Sequence, residues 1–258
     1  MGRGPLAGSA LSLALFTQVP RREEQQKVSN QPNLGAGVGT AHGLEHRSVI
    51  AALATAGIAG PFIFAVVALV HSLLRPDHSL LRHPVSALAA GPSGWVQNVN
   101  FLLFGLLMIA YAMGLHLGVR PTRRGLVGVM FLVLSGVGLM WGGVFPATDD
   151  TGAFDGGRLL HIPGFVMTFL GGGIGLVLMS RRMVRDPSWR GLSTYALATG
   201  VAMLVLIVAG GGLVRPPGAP LHAWFGLFQW VLLAVWLPCT VVLALRLLGL
   251  ARAADALH

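Results

Sequence analysis

The sequence predicts an all-α membrane protein: a six-transmembrane-helix bundle with both termini in the cytoplasm and a short interfacial helix in the first outer loop. Three observations carry this. Apolar residues make up 54% of the chain and charged ones only 10%, whereas a soluble domain carries charge on about a quarter of its residues. The apolar residues fall into uninterrupted runs of about 20, the length that crosses a hydrocarbon core of about 30 Å at about 1.5 Å per residue. The connecting loops alternate between Arg-rich and Arg-poor, as the positive-inside bias requires.

Residues 1–47 read as a disordered polar tail. Arg21-Arg22-Glu23-Glu24-Gln25-Gln26 and the Gly, Asn and Pro mixture after it cannot bury enough apolar area to offset ordering entropy. The weakly apolar stretch 5–16 resembles a signal-peptide core, but using it to cross the membrane would place Arg21, Arg22, Lys27 and Arg47 outside. Leu6 stands where a myristoylated Gly2 would need Ser or Thr. The membrane domain, 48–250, then contains spans at 48–70, 98–119, 125–145, 159–180, 193–213 and 223–248, followed by a short cytoplasmic tail, 251–258.

The loop after the second span carries Arg120, Arg123 and Arg124, and the one after the fourth carries Arg181, Arg182, Arg185 and Arg190. These are the expected cytoplasmic loops, which places the protein in the cell inner (plasma) membrane with both termini inside. One opposite loop is acidic, with Asp149, Asp150 and Asp155 against Arg158. Loop one, 75–97, is too long for a turn; Asp77 as N-cap and Leu81, Val85 and Leu88 at helical spacing predict its interfacial helix.

Pairs at small-xxx-small spacing, Gly114 with Gly118, Gly138 with Gly142 and Gly171 with Gly175, mark close helix crossings. Pro61 and Pro238 lie inside spans and predict kinks. The net charge of +9 comes almost entirely from Arg in short loops, so the bilayer is the implied partner and nucleic acid is not. Cys239, the single cysteine, reads as a buried thiol.

No span carries a charge near its centre, which argues against a proton-coupled pump or voltage sensor. The polar groups gather at the outer ends instead, and the candidate cluster is His83, Ser86, Asp149, Asp150, His161 and His222. Carboxylates close to His161 would favour its protonated form. No cofactor is predicted; a divalent metal such as zinc is conceivable on His83, Asp149 and His161, although no His-x-x-x-His spacing supports it. His71 and His161 lack the deeper paired histidines of a haem site. A nucleophilic set of Ser86, His83 and Asp149 lacks any local Gly-x-Ser-x-Gly turn.

The run His83-Pro84-Val85-Ser86-Ala87-Leu88-Ala89, followed by Gly94-Trp95 and Asn100-Phe101 with Gly105-Leu106-Leu107, resembles the bacterial membrane family catalogued as domain of unknown function 998. Gly143-Val144-Phe145-Pro146, with Asp149 or Asp150 beyond it and His161 opening the next span, resembles that family's second signature. The resemblance implies a multi-span bundle and brings no catalytic residues with it.

The expected function is that of a non-catalytic polytopic membrane protein whose outward His/Asp surface supports interaction or small-ligand binding. The alternative is a membrane-embedded metal-dependent hydrolase acting on a lipid or lipid-linked substrate. A facilitative transporter is the third reading; Asn98, Asn100 and Gln229 are too few to line a path through the bundle.

Overall fold

The computed structural model of the chain describes residues 34–91, 93–122, 125–147, 156–214 and 218–253. Two compact units divide the chain, Met1–His42 and Gly43–His258. In the first, the described residues 34–42 are helical, and the second forms the bundle. The helices are α1 (Leu34–Leu74), α2 (Gly94–Gly118), α3 (Gly125–Val144), α4 (Gly156–Met183), α5 (Arg190–Leu213) and α6 (Phe225–Ala253). No strand occurs among the described residues. All six helices contain a segment long and apolar enough to cross a bilayer, Glu45–Leu74 in the first and Leu159–Met183 in the fourth, for example. The faces that leave the bundle are apolar too, with Val208 79% and Phe62 70% exposed, as lipid contact demands.

Three details differ from the sequence expectation. Residues 34–47, assigned above to a disordered tail, belong to α1; lengthening an existing helix needs no new nucleus and adds one hydrogen bond per residue fixed. Where loop one was expected to hold an amphipathic α-helix, its described residues before Gly94 form a short 3₁₀ helix, Val85–Ala89, with Val85, Ser86, Leu88 and Ala89 buried, so it is packed into the bundle mouth. Asp77 caps no helix; its carboxylate takes the Arg75 guanidinium through Nε at 3.2 Å and Nη2 at 2.5 Å.

Without a hydrophobic drive between helices in lipid, the bundle rests on close backbone approach and a few interhelical hydrogen bonds. A Cβ at Gly105 would lie 2.5 Å from the Gly136 carbonyl, and one at Gly136 2.7 Å from that of Gly105, so α2 and α3 touch main chain to main chain. The same holds for α3 and α4 at Gly138 and Gly164, and for α4 and α5 at Gly173 and Gly200. The α3–α4 seam also carries a hydrogen bond from Ser135 Oγ to the Thr168 carbonyl, 2.6 Å. Helix α1 meets α2 at Gly57, where a Cβ would fall 2.4 Å from the Tyr111 ring.

Aromatic rings fill the middle of the bundle. Phe64 stacks on Phe104 at a centroid distance of 4.7 Å, Phe104 meets Trp236 at 5.7 Å, and Trp236 meets Phe169 at 5.8 Å. The chain of rings joins α1, α2, α6 and α4 and separates the end carrying loop one from the end carrying Arg120 and Arg182.

Candidate functional site

Loop one is drawn into the mouth of the bundle by α6. Leu227 N–H donates to the Leu81 carbonyl at 3.0 Å, and the Val85 N–H donates to Gln229 Oε1 at 2.6 Å. Glycine is required at 226, since a Cβ there would sit 2.5 Å from the carbonyl oxygens of both Leu80 and His83. Gly91 turns the chain toward α2 with φ +81°, in the left-handed region. A buried amide therefore anchors the loop, and the loop roofs a cavity instead of filling it.

That cavity measures about 400 Å³, within the usual range for small-ligand sites of about 300–1,000 Å³. Its polar wall is built by Arg75, Asp77, His78, His83, Ser86, His161 and Gln229. Its apolar wall comes from the ends of α4, α5 and α6, through Ile162, Phe165, Val166, Ile207 and Phe228. A smaller chamber of about 30 Å³ lies against Ser86, His161, Phe165 and Gln229 as well, and reaches Phe64, Phe101 and Phe169 of the central aromatic packing. It has room for a water or two, each needing about 10–15 Å³.

Of the residues singled out from the sequence, His83, Ser86 and His161 line one cavity. His222 is not among its lining; it sits in a 3₁₀ turn, His222–Trp224, and donates from Nδ1 to the Val214 carbonyl at 3.0 Å, tying α5 to α6. Asp149, Asp150 and Asp155 lie outside the described residues. Residues not singled out for the site also line it. Gln229 lies 144 positions from its partner Val85, and Arg75 turns inward to hold both Asp77 and the Ala90 carbonyl, the latter at 2.8 Å. Only the fold brings such pairs together.

The hydrogen bonds fix which imidazole nitrogen faces which task. His83 Nδ1 accepts the Ser79 N–H at 2.9 Å, so the ring is neutral with its proton on Nε2. A neutral ring in that tautomer offers no lone pair for a metal. His161 is the reverse: its Nδ1–H donates to the Phe145 carbonyl at 2.8 Å, which fixes the proton on Nδ1 and the lone pair on Nε2. Among the described residues no three His, Cys, Asp or Glu side chains converge as a metal set. His71 is committed elsewhere, bonded through Nε2 to Ser93 Oγ at 3.0 Å.

Burial, with the Arg75 guanidinium adding to it, pushes His78 down from its ordinary 6.5 to about 4, while the hydrogen bond from Arg75 holds Asp77 below the usual carboxylate range. The two shifts act in separate pH windows. The unfolded His78 binds its proton near pH 6.5 and the folded one only near 4, so stability is complete above about pH 7 and falls as pH drops between those values. Asp77 contributes above its unfolded value of 3.8 and is lost below it. Thermal melts in detergent should show Tm falling between pH 7 and 5, with the fall flattened in His78→Gln; an equally steep fall in the variant would assign the loss elsewhere.

Six apolar helices around an aromatic centre, with a cavity at one mouth, define a multi-pass integral membrane protein. The family described as protein of unknown function (DUF998) matches residues 58–246, and the chain belongs to it. No curated protein and no solved structure matches the chain.

Proposed function

We propose that this membrane protein binds a small ligand with a polar head in the cavity beneath loop one and does not turn it over. The observation that carries the proposal is the convergence of His83, Ser86, His161 and Gln229 on one cavity from three separate segments of the chain. Donors and acceptors placed together beside an apolar wall are the usual makeup of a binding site. The packed rings Phe64, Phe104, Trp236 and Phe169 argue against a through-going path, so binding at one mouth is favoured over facilitated transport. Native mass spectrometry of protein extracted directly from membranes should show a retained small-molecule adduct. Ala87→Trp, which fills the cavity from the half-buried roof, should abolish it. Identical spectra for the two proteins would sink the proposal.

The hydrolase reading has one specific support, the orienting bond from His161 Nδ1–H to a carbonyl, a partner that metal-binding histidines commonly have. Stoichiometric zinc in purified protein, lost in His161→Ala, would favour it. On orientation, the Arg-rich end around Arg120, Arg182, Arg185 and Arg190 is assigned to the cytoplasm, which puts both termini inside the plasma membrane and the cavity outside. A reporter active only outside the cytoplasm, fused after Arg190, should be silent; strong activity there would invert the topology.

A further inference from the structure

We infer that the occupant of this cavity is a lipid with an uncharged hydroxyl head, admitted sideways from the bilayer through a gap between α4 and α5 at Val166 and Gly211. The inference rests on the binding role proposed above and adds the ligand class and its route.

The route follows from the walls. Val166 and Gly211 both line the cavity, and both are exposed, Val166 at 42%. Both belong to membrane-crossing segments, Leu159–Met183 and Arg190–Leu213. Val166 lies seven residues into its segment, about 10 Å below its end at about 1.5 Å per residue. The helices touch through Gly173 and Gly200, where a Cβ at Gly200 would lie 2.7 Å from the Gly173 carbonyl. Nearer the mouth that closeness is gone: a Cβ at Gly211 would meet nothing within 4 Å. The neighbouring Gly210 is not open in this way: a Cβ there would fall 2.4 Å from the Phe228 ring. One glycine thus packs a wall, and the next, close to the end of its segment, leaves open space beside it that Val166 continues at acyl-chain depth.

The head-group class follows from the charges. Among the described residues Arg75 is the lining's guanidinium, and it is already held by the Asp77 carboxylate and the Ala90 carbonyl. His83 is neutral because its Nδ1 accepts a backbone N–H, and burial keeps His78 neutral at physiological pH. A phosphate head would have to leave water for a site whose cation is already paired, a poor exchange for a charged group. A hydroxyl donates and accepts one bond at a time, which suits a wall whose described residues offer Ser86, Gln229 and the His78 Nε2 rather than spare charge. The tail then lies along Phe165 and Ile207 and leaves between the helices.

The test uses the full chain in lipid nanodiscs with a diazirine-bearing hexadecanol as photoprobe. Labelling should be saturable and map to the α4–α5 gap. Unlabelled hexadecanol should compete at least about tenfold better than hexadecyl phosphate, a difference of about 1.4 kcal/mol, and glycerol should not compete. Gly211→Trp should cut labelling about tenfold, that tenfold again being about 1.4 kcal/mol, while Gly212→Trp should not. Gly212 also faces open space but does not line the cavity, and the melting temperature of each variant reports its folding separately. Equal competition by the phosphate would overturn the uncharged head. Full labelling of a folded Gly211→Trp would overturn the lateral route and leave cavity binding standing. No saturable labelling, together with no native adduct, would remove the binding role itself.

Discussion

Arg182→Met should cost the fold about 3–5 kcal/mol, the loss typical of removing one member of a buried charged network. Arg182 is only 3% exposed. Its Nε donates to the Arg120 carbonyl at 2.8 Å, and Nη2 donates to the carbonyls of His116, at 2.9 Å, and Val119. These oxygens sit at and just beyond the C-terminus of α2, where carbonyls have no intrahelical partner and the helix dipole is negative. Asp186, 4% exposed, completes the arrangement by accepting the N–H groups of Arg120 and Ser188, both at 2.9 Å. Methionine keeps the apolar stem but strands the carbonyls and leaves Asp186 without its nearby cation. Arg182→Lys should recover only part of the loss, because one ammonium cannot reproduce a planar fork that spans several acceptors. Trp189, donating to the Gly118 carbonyl at 3.0 Å, supports the same helix end; Trp189→Phe should cost about 1 kcal/mol. Chemical unfolding in mixed micelles measures all three. A loss under about 1 kcal/mol for Arg182→Met, no more than an ordinary hydrogen bond, would mean that water reaches these carbonyls.

Nothing in the sequence distinguishes Arg182 from Arg181 or Arg185: all three appear as loop arginines on the Arg-rich side. Hydropathy makes the spans legible because a bilayer demands one length and one composition, so the second and third spans, read as 98–119 and 125–145, correspond to Gly94–Gly118 and Gly125–Val144. What it leaves out is the order imposed by tertiary contact. Asp186 appears as an ordinary loop acid until Arg120 and Ser188 are folded over it. Leu81, Val85 and Leu88 keep helical spacing, yet the Gln229 side chain takes the Val85 amide and the segment tightens into a buried 3₁₀ turn. The site was legible to the same extent. His83, Ser86 and His161 could be placed at one end from topology alone, whereas Gln229 and the Arg75–Asp77 pair needed the packing of α6 and the fold of loop one.

Glycine spacing was only half informative. Gly138 and Gly142 stand out as a pair within one helix, but the cross-helix partners Gly105 with Gly136 and Gly173 with Gly200 cannot be matched before the crossings are known. Their cost can now be ranked, and Gly138→Leu should be the most damaging, at about 3 kcal/mol or more, at or beyond the upper end for overpacking a tight core. A Cβ at 138 would lie 2.5 Å from the Thr168 amide nitrogen and 2.7 Å from the Gly164 carbonyl, both backbone atoms that move only if α4 moves. Separating the helices would also break the 2.6 Å hydrogen bond from Ser135 to the Thr168 carbonyl and open the small chamber that Gly138 and Gly142 help to enclose. Gly175→Leu should be milder. Its nearest contact, at 2.7 Å, is the end of the Leu132 side chain, which can rotate, although the Leu132 amide nitrogen at 3.1 Å sets a limit. Gly212→Leu, with nothing within 4 Å, should leave stability unchanged or raise it through better helix propensity. Melting temperatures in one detergent should therefore fall in the order Gly212→Leu, Gly175→Leu, Gly138→Leu. If Gly138→Leu melts with Gly212→Leu, the α3–α4 contact gives way without loss, and close backbone approach is not what holds this bundle together.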